Sequence, residues 1–245
     1  MRRLGILALA GSILGCAKGP VEWSDVRYSE AVTDTQSPVL AISLPDSAGC
    51  RTTARTLTVG DQKHTIWWTV RSDSSAILRY SLHADSGNAI PVSVDTTDRS
   101  RRGCDRPAPA LAADEEGRVY AAYFLEPASG PGIFFVHKMD SIGFHDPISI
   151  AYGKRPSAVS LAVAGDRVAV AYEEPNSARG QIWVALSATM GHLFEFRGPV
   201  SASSEISRRP EAGLDGTKLD ISWAELIQSD SNGRSRRAQR SGIWK

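Results

Sequence analysis

The sequence lacks the patterns of several common protein classes. No i, i+3, i+4 apolar pattern persists for three turns, which favours an all-β fold. No phosphate-binding loop, GxSxG motif or Gly-rich dinucleotide pattern occurs, so we expect no cofactor. Charge of one sign does not dominate either, because 28 Lys and Arg oppose 27 Asp and Glu. This balance gives no electrostatic reason to expect nucleic acid as a partner.

What the sequence does contain is a repeated unit of short apolar runs. Four of these runs can be superimposed: "HTIWWTV" (64–70), "RVYAAYFLE" (118–126), "RVAVAYEE" (167–174) and "KLDISWAE" (218–225). Successive copies are spaced by 53, 49 and 51 residues. Because successive side chains of a strand point to opposite faces, the apolar residues of each copy lie on one face. The equivalent positions on that face are Ile66, Val119, Val168 and Leu219, then Trp68, Ala121, Val170 and Ile221, then Val70, Tyr123, Tyr172 and Trp223.

Each copy belongs to a unit of four short strands. An apolar alternation ending in a Gly/Asp turn precedes each run, as in "VSLAVAGD" (159–166), and a third strand pattern follows it. Three units end in an outer strand pattern, such as "IPVSV" (90–94). A period of this length in an all-β chain predicts a β-propeller of four-stranded blades. A β-sandwich with accidental self-similarity is the alternative.

The phase of the repeat predicts how the blades are completed. The last unit stops at its third strand, "SGIWK" (241–245), whereas "SPVLAIS" (37–43) matches the fourth-strand pattern before the first unit. We therefore expect a propeller domain over 37–245 with about four blades, which an N-terminal strand could close. The alternative is that the chain is a fragment of a six-bladed propeller.

The N-terminal segment "MRRLGILALAGSILGC" (1–16) resembles a bacterial lipoprotein signal. Arg2 and Arg3 precede an apolar run over 4–14 that is too short to span a bilayer. The resemblance implies that 1–15 is a signal peptide, Cys16 is the lipidated residue and 16–36 is a tether. The expected location is the cell envelope, at the outer membrane, with the membrane as a partner through the lipid anchor. An ordinary secretory signal that contains a cysteine is the alternative.

The remaining two cysteines, Cys50 and Cys104, occupy equivalent positions before the first strands of successive units. An even pair in an exported protein is typical of a disulfide. Because equivalent positions on adjacent blades come close near the axis, we predict a Cys50–Cys104 bridge. Two free buried thiols are the alternative.

The segment "IWVALSATMGHLF" (182–194) resembles a degenerate Asp-box of sialidase-type propellers. Ser187, Gly191 and Phe194 fall near the pattern, while Thr189 stands where the Asp belongs. Partial matches also occur at "SLHADSG" (81–87) and "HKMDSIG" (137–143). The resemblance implies turn-stabilising elements away from an active site, and an exo-glycosidase acting on sugar acids. Sialidases use a Tyr nucleophile, but Tyr172 occupies a repeated core position, so we expect it to pack in the core.

Four arginines precede the first strands at matching points: Arg51, Arg106, Arg155 and Arg209. If they converge at the channel mouth, they would form a ligand-binding site for a carboxylate or other anion, which suits the planar guanidinium group. The alternative is that each arginine holds neighbouring blades together through carboxylates such as Asp105 or Glu211.

The histidines and the two basic runs give little indication of a metal site or a binding site. The histidines show no metal-ligand spacing, so we expect no metal site and place them on the surface or in turns: His64, His83, His137, His145 and His192. The basic runs "RSRRGCDR" (99–106) and "RSRRAQR" (234–240) are interpreted as solvated loops, the alternative being a phosphate or lipid headgroup site.

The patterns together favour a membrane-anchored, non-catalytic propeller that binds a ligand or a partner protein in the cell envelope. A carbohydrate, a carboxylate or an envelope protein would be its ligand or partner. The alternative function is a sialidase-type exo-glycosidase. Catalytic residues cannot be assigned from the sequence, because no motif places them.

Overall fold

The structure is a computed structural model that describes residues 19–32, 44, 46–83, 90–114, 116–139, 143–227 and 234–245. These residues contain seventeen β-strands and one short 3-10 helix, Arg51–Thr53. No helix in this part of the chain is long and apolar enough to cross a bilayer. The predicted signal peptide, the lipidation site Cys16, the segment 37–43 and the partial Asp-box residues Asp85, Gly87 and Asp140 lie outside the described residues.

The strands form four antiparallel sheets, each built largely from one sequence repeat. Sheet I contains β3 (Arg55–Val59), β4 (Gln62–Val70), β5 (Ala76–His83) and β6 (Val92–Asp95); sheet II contains β7 (Ala110–Ala113), β8 (Val119–Leu125), β9 (Gly132–Lys138) and β10 (Ile148–Tyr152); sheet III contains β11 (Val159–Ala164), β12 (Arg167–Glu173), β13 (Ile182–Ser187) and β14 (Phe196–Pro199). Sheet IV contains β15 (Ser207–Asp215), β16 (Lys218–Leu226) and β17 (Ser235–Trp244), joined by β1 (Val21–Trp23) and β2 (Arg27–Val32). Strand order follows chain order in sheets I to III, as in propeller blades. The predicted all-β propeller with four blades is confirmed.

Tight hairpins fix the register between the first and second strands of three sheets. The closing pairs are Val59 with Gln62 in sheet I, Ala164 with Arg167 in sheet III and Asp215 with Lys218 in sheet IV. Each leaves a two-residue loop that begins with a glycine at positive φ. Such loops suit the twist of antiparallel strands, and they need a residue that tolerates positive φ.

Three apolar clusters fill the spaces between consecutive sheets. Trp68 and Tyr123 pack between sheets I and II, Phe135 and Tyr172 between sheets II and III, and Trp223 with its neighbours between sheets III and IV. Tyr172 therefore lies in the core, as predicted. Among the described residues, no such cluster joins sheets IV and I.

The first repeat copy is out of phase with the other three by one residue. The repeated positions in sheets II, III and IV face the preceding sheet, as Val170 and Ile221 do. Ile66 and Trp68 in sheet I instead face the following sheet. A shift of one residue exchanges the two faces of a strand. The shift was hidden in the sequence because Trp67 and Trp68 make β4 apolar on both faces, and both are fully buried.

Sheet IV differs from the prediction in the strands that complete its outer edge. Its N-terminal strands are β1 and β2, which pair with β17. They lie within 16–36, the segment predicted as a tether, and upstream of the strand expected at 37–43.

The basic run 234–240 is also not a loop, because residues 235–240 belong to β17. Arg236 donates to buried Glu225, which explains how a strand with many arginines pairs in a sheet.

The predicted disulfide between Cys50 and Cys104 is present, with a Cα–Cα distance of 5.5 Å. This distance lies within the range that an unstrained bridge requires. The bridge joins the segments that lead into β3 and β7, so it ties sheet I to sheet II beside their inner strands.

Candidate functional site

The inner strands of the four sheets meet at a cleft with a volume of about 500 Å³. Contacts run from β3 to β7, from β7 to β11 and from β11 to β15. Residues of these four strands line the cleft, together with the proline-containing segment 107–109 that leads into β7. A concave site at the centre of the repeats is the ordinary place for a ligand to bind.

The backbone is strained where β15 reaches this cleft. Arg209 has a φ of +54°, which lies in the left-handed region that side chains other than glycine rarely adopt. The pairing of β15 with β16 shifts between Arg208 and Glu211, so Arg209 lies in a bulge. Bulges and strained residues are concentrated near functional sites, where they redirect side chains.

A buried carboxylate holds this bulge in place. The backbone N–H of Arg209 donates to Oε1 of Glu173 at 2.9 Å, and Glu173 is only 7% exposed. The backbone N–H of Ala212 donates to Oγ of Ser160 at 2.9 Å. Both acceptors belong to sheet III, so these bonds fix sheet IV against its neighbour at the cleft.

Glu211 is the carboxylate of the cleft lining in the described part of the chain. Its side chain is 65% exposed and forms an ion pair with Arg237 of β17. Arg237 also donates to Oγ of Ser222 at 2.6 Å. The cleft therefore presents a carboxylate that solvent can reach and whose position is set by a neighbouring guanidinium group.

Arg55 gives the cleft a positive side chain at the start of β3. Its Nη1 donates to the backbone oxygen of Ala54 at 2.8 Å. Burial lowers the pKa of Arg55 from its ordinary value. Arg55 was not among the residues singled out from the sequence, because it lies within the strand and not at the repeated Arg-Pro position.

The four arginines of the predicted ring occupy different environments. Arg106 is buried and pairs with Asp98 at 3.2 Å, not with the Asp105 suggested by the sequence. Nη2 of Arg155 donates to the backbone oxygen of Glu174, just after β12, at 2.7 Å, and Arg51 is exposed in the 3-10 helix. Within the described residues, only Arg209 of the four lines the cleft. Anion binding by the complete ring stays a prediction, and the environment of Arg106 is that of a structural residue.

The degenerate Asp-box forms a closed turn. Oγ of Ser187 accepts hydrogen bonds from the backbone N–H groups of Thr189 and Gly191, at 3.1 and 3.0 Å. Oγ1 of Thr189 accepts from the N–H of Leu193 at 3.1 Å. Thr189 thus supplies an acceptor where the motif has an Asp. The turn-stabilising role implied by the resemblance fits this geometry.

The surface or turn position predicted for the histidines is correct for His145 and His192, which are exposed, and wrong for two others. His64 and His137 are buried, not on the surface. His137, His145 and His192 come together with one ring nitrogen from each within 4.8 Å of the others. Neighbouring ligands on one strand or helix would have shown a short spacing, but these three lie on separate segments.

Comparisons with known proteins support the fold and no closer relationship. No protein-family model and no curated protein matches the sequence. Among solved structures, the GH93 α-L-arabinofuranosidase of Fusarium graminearum, solved with arabinobiose, gives a TM-score of 0.52 at 10% identity, covering 79% of this chain and 62% of that enzyme. An exo-1,5-α-L-arabinanase from a bovine ruminal metagenomic library gives 0.46 at 12% identity, with 78% and 76% covered. The α-L-arabinofuranosidase of Podospora anserina, in complex with cellotriose, gives 0.48 at 12% identity, with 82% and 67% covered.

These comparisons correct the expected class of function. The neighbour with a TM-score above 0.5 is a glycoside hydrolase, so the prediction of a non-catalytic binding propeller is corrected. The glycosidase alternative agrees better with this neighbour, which is an arabinofuranosidase and not a sialidase.

Proposed function

We propose that this chain is a glycoside hydrolase that binds its substrate in the cleft where the inner strands meet. The observation that carries the proposal is Glu211, an exposed carboxylate positioned in that cleft next to a strained bulge. The propeller fold, shared with the Fusarium arabinofuranosidase, supports it. That enzyme makes α-L-arabinofuranosides the first substrates to test.

Most glycosidases use two carboxyl groups that flank the scissile bond. We assign Glu211 as the carboxylate that contacts the substrate and Glu173 as the second carboxyl group. Glu173 holds the backbone N–H of Arg209, two residues before Glu211, so the two groups belong to adjacent sheets and converge on one bulge.

Acidic sugars are the second substrate class, and the arginines in the cleft favour them. Arg55 and Arg209 line the same space as Glu211. A guanidinium group pairs well with the carboxylate of a sugar acid. This is the feature that the sialidase alternative requires.

The test is hydrolysis by the purified chain of 4-nitrophenyl α-L-arabinofuranoside, arabino-oligosaccharides, a fluorogenic sialoside and a uronide. We expect Glu211→Gln to lower kcat by about 10²-fold or more, since loss of a catalytic carboxylate removes proton transfer or nucleophilic attack. Glu22→Gln is the matched control, because Glu22 is also an exposed carboxylate in an ion pair, with Lys245. No hydrolysis across neutral and acidic glycosides, or equal rates for wild type and Glu211→Gln, would overturn the proposal.

A further inference from the structure

Three histidines meet beside the junction of sheets II and III, away from the cleft. His137 lies in β9, His145 follows in the loop before β10, and His192 lies in the turn between β13 and β14. Nε2 of His137 and Nδ1 of His145 are 2.7 Å apart. The ring centroids of His137 and His192 are 4.5 Å apart. Two sheets and one loop therefore contribute to a single cluster.

The backbone holds all three residues in place. The N–H of His145 donates to the carbonyl oxygen of His137 at 2.9 Å, which fixes the loop against β9. The N–H of His192 donates to the carbonyl oxygen of Thr189 at 3.0 Å, inside the turn that Ser187 stabilises. The cluster is thus a product of the folded arrangement of two sheets.

The cluster contains a buried polar atom that lacks a partner. His137 is 1% exposed, and its Nδ1 has no hydrogen-bond partner in the described structure. Its ring lies beside Phe135, with 5.8 Å between centroids, and Phe135 packs edge-on against Phe194. Nε2 is the nitrogen of His137 that faces His145, so a bound ion would contact Nε2 and leave Nδ1 without a partner.

We propose that His137, His145 and His192 form a binding site for a divalent transition-metal ion, with Zn²⁺ as the expected occupant. Imidazole nitrogen is a preferred ligand for zinc, copper and nickel, whereas calcium and magnesium take oxygen ligands. Zn–N bonds of about 2.0–2.1 Å in a tetrahedral site place ligand nitrogens roughly 3.3 Å apart. The spacings found here, 2.7 Å for one pair and up to 4.8 Å overall, lie on either side of that value.

Small rotations of two imidazole rings would bring the nitrogen–nitrogen distances to the value that zinc requires. His145 and His192 are exposed, so their rings turn without disturbing the core, while buried His137 provides a fixed ligand. The exposed side leaves the fourth position to water. Phe135 and Phe194 form an apolar wall on the inner side, which excludes water there and strengthens metal–ligand bonds.

Such an ion would join sheet II to sheet III at their periphery. A ligand that binds only the folded state raises the free energy of unfolding. Zinc is therefore expected to raise the melting temperature of the chain, independently of any hydrolytic activity in the cleft.

The test is calorimetric titration of the untagged chain with Zn²⁺ after removal of bound metals with a chelator. We expect one ion per chain, and at least about a 100-fold weaker affinity for the double variant His145→Asn, His192→Asn, because two of three ligands are lost. His83→Asn is the matched control, since this histidine of β5 lies outside the cluster. Equal affinity of wild type and double variant would overturn the proposal, as would failure of the wild type to bind.

A measurement on the wild type alone keeps the test independent of how the variants fold. X-ray absorption at the zinc edge reports the ligands directly, and a first shell with three imidazoles is expected. A shell without imidazole nitrogen would contradict the assignment. Zinc should also raise the wild-type melting temperature, while equal concentrations of Ca²⁺ or Mg²⁺ leave it unchanged.

Discussion

Replacing Arg106 by alanine removes a buried guanidinium group that joins the segments between sheets I and II. Arg106 donates to Oδ2 of Asp98 and Oγ of Ser100, each at 3.2 Å, and to the backbone oxygen of Gly103 at 2.7 Å. The group also lies over the ring of Trp68, 5.0 Å from the centroid. The side chains of Arg106 and Asp98 are 3% and 1% exposed. Alanine would leave the Asp98 carboxylate buried without its cation.

The expected loss in the free energy of unfolding follows from that buried charge. Removing one partner of a buried ion pair costs about 3–5 kcal/mol. Asp98 keeps hydrogen bonds from the N–H of Ala76 at 2.8 Å and from Ser100 at 3.0 Å, so we expect about 3 kcal/mol, the lower end. A chain of this size loses roughly 2–4 °C per kcal/mol, which gives a fall in melting temperature of about 6–12 °C.

The assay is denaturant unfolding followed by tryptophan fluorescence, with a calorimetric scan of the same samples and the disulfide intact. Arg51→Ala is the control, because Arg51 holds the equivalent position in the repeat but is exposed. Its effect should stay within about 0.5 kcal/mol. Arg106→Met combined with Asp98→Asn should recover part of the loss, since no unpaired charge remains and the amide oxygen can still accept from the N–H of Ala76. If Arg106→Ala unfolds like the wild type, the structural role is refuted and a ligand-binding role for Arg106 becomes the better explanation.

Two further predictions concern the disulfide and acid stability. Replacing Cys50 and Cys104 by serine should lower the free energy of unfolding by up to about 4 kcal/mol in the chain-entropy model, because the bridge spans 54 residues; an unfolding curve that the replacement leaves unchanged would contradict this. Burial, followed by the charge of Lys138, holds the pKa of His64 below its ordinary value of 6.5. The unfolded chain therefore gains a proton that the folded chain resists, so stability falls as the pH drops below 6.5. In chelator, His64→Gln should flatten only part of this dependence, because burial also lowers the pKa of His137, to about 4, and an equally steep loss in the variant would show that other groups cause all of it.

Features fixed by local sequence were predictable. The second strands of all four sheets and their hairpins follow from alternation and Gly turns, as at 165–166, and the observed bounds agree closely with the repeat. The disulfide followed from a simple consequence of repetition, since equivalent positions on adjacent blades lie near each other. The cores of sheets II to IV were predictable for the same reason.

Features that depend on contacts between distant segments were not predictable. The histidine cluster combines residues 137, 145 and 192, and nothing in their spacing indicates that a turn of sheet III reaches β9. β2 and β17 carry Arg, Ser and Glu side chains at many positions, so neither shows the apolar alternation that marked the other strands. The two adjacent tryptophans of β4 concealed the phase of the first repeat. For the cluster and for the added strands, a single sequence lacks the information because the stabilising partner is far away in the chain.

Sheet IV shows where stability and the proposed function separate. Ile221 and Trp223 on one face of β16 are buried against sheet III, while Ser222 on the opposite face is partly exposed. That polar face carries Arg237, which pairs with Glu211 at the cleft. Exposed ion pairs contribute at most about 1 kcal/mol to stability, so this contact matters mainly for the direction in which Glu211 points. The apolar face holds the sheet in the propeller, and the polar face is left free to position the carboxylate that the proposed hydrolysis requires.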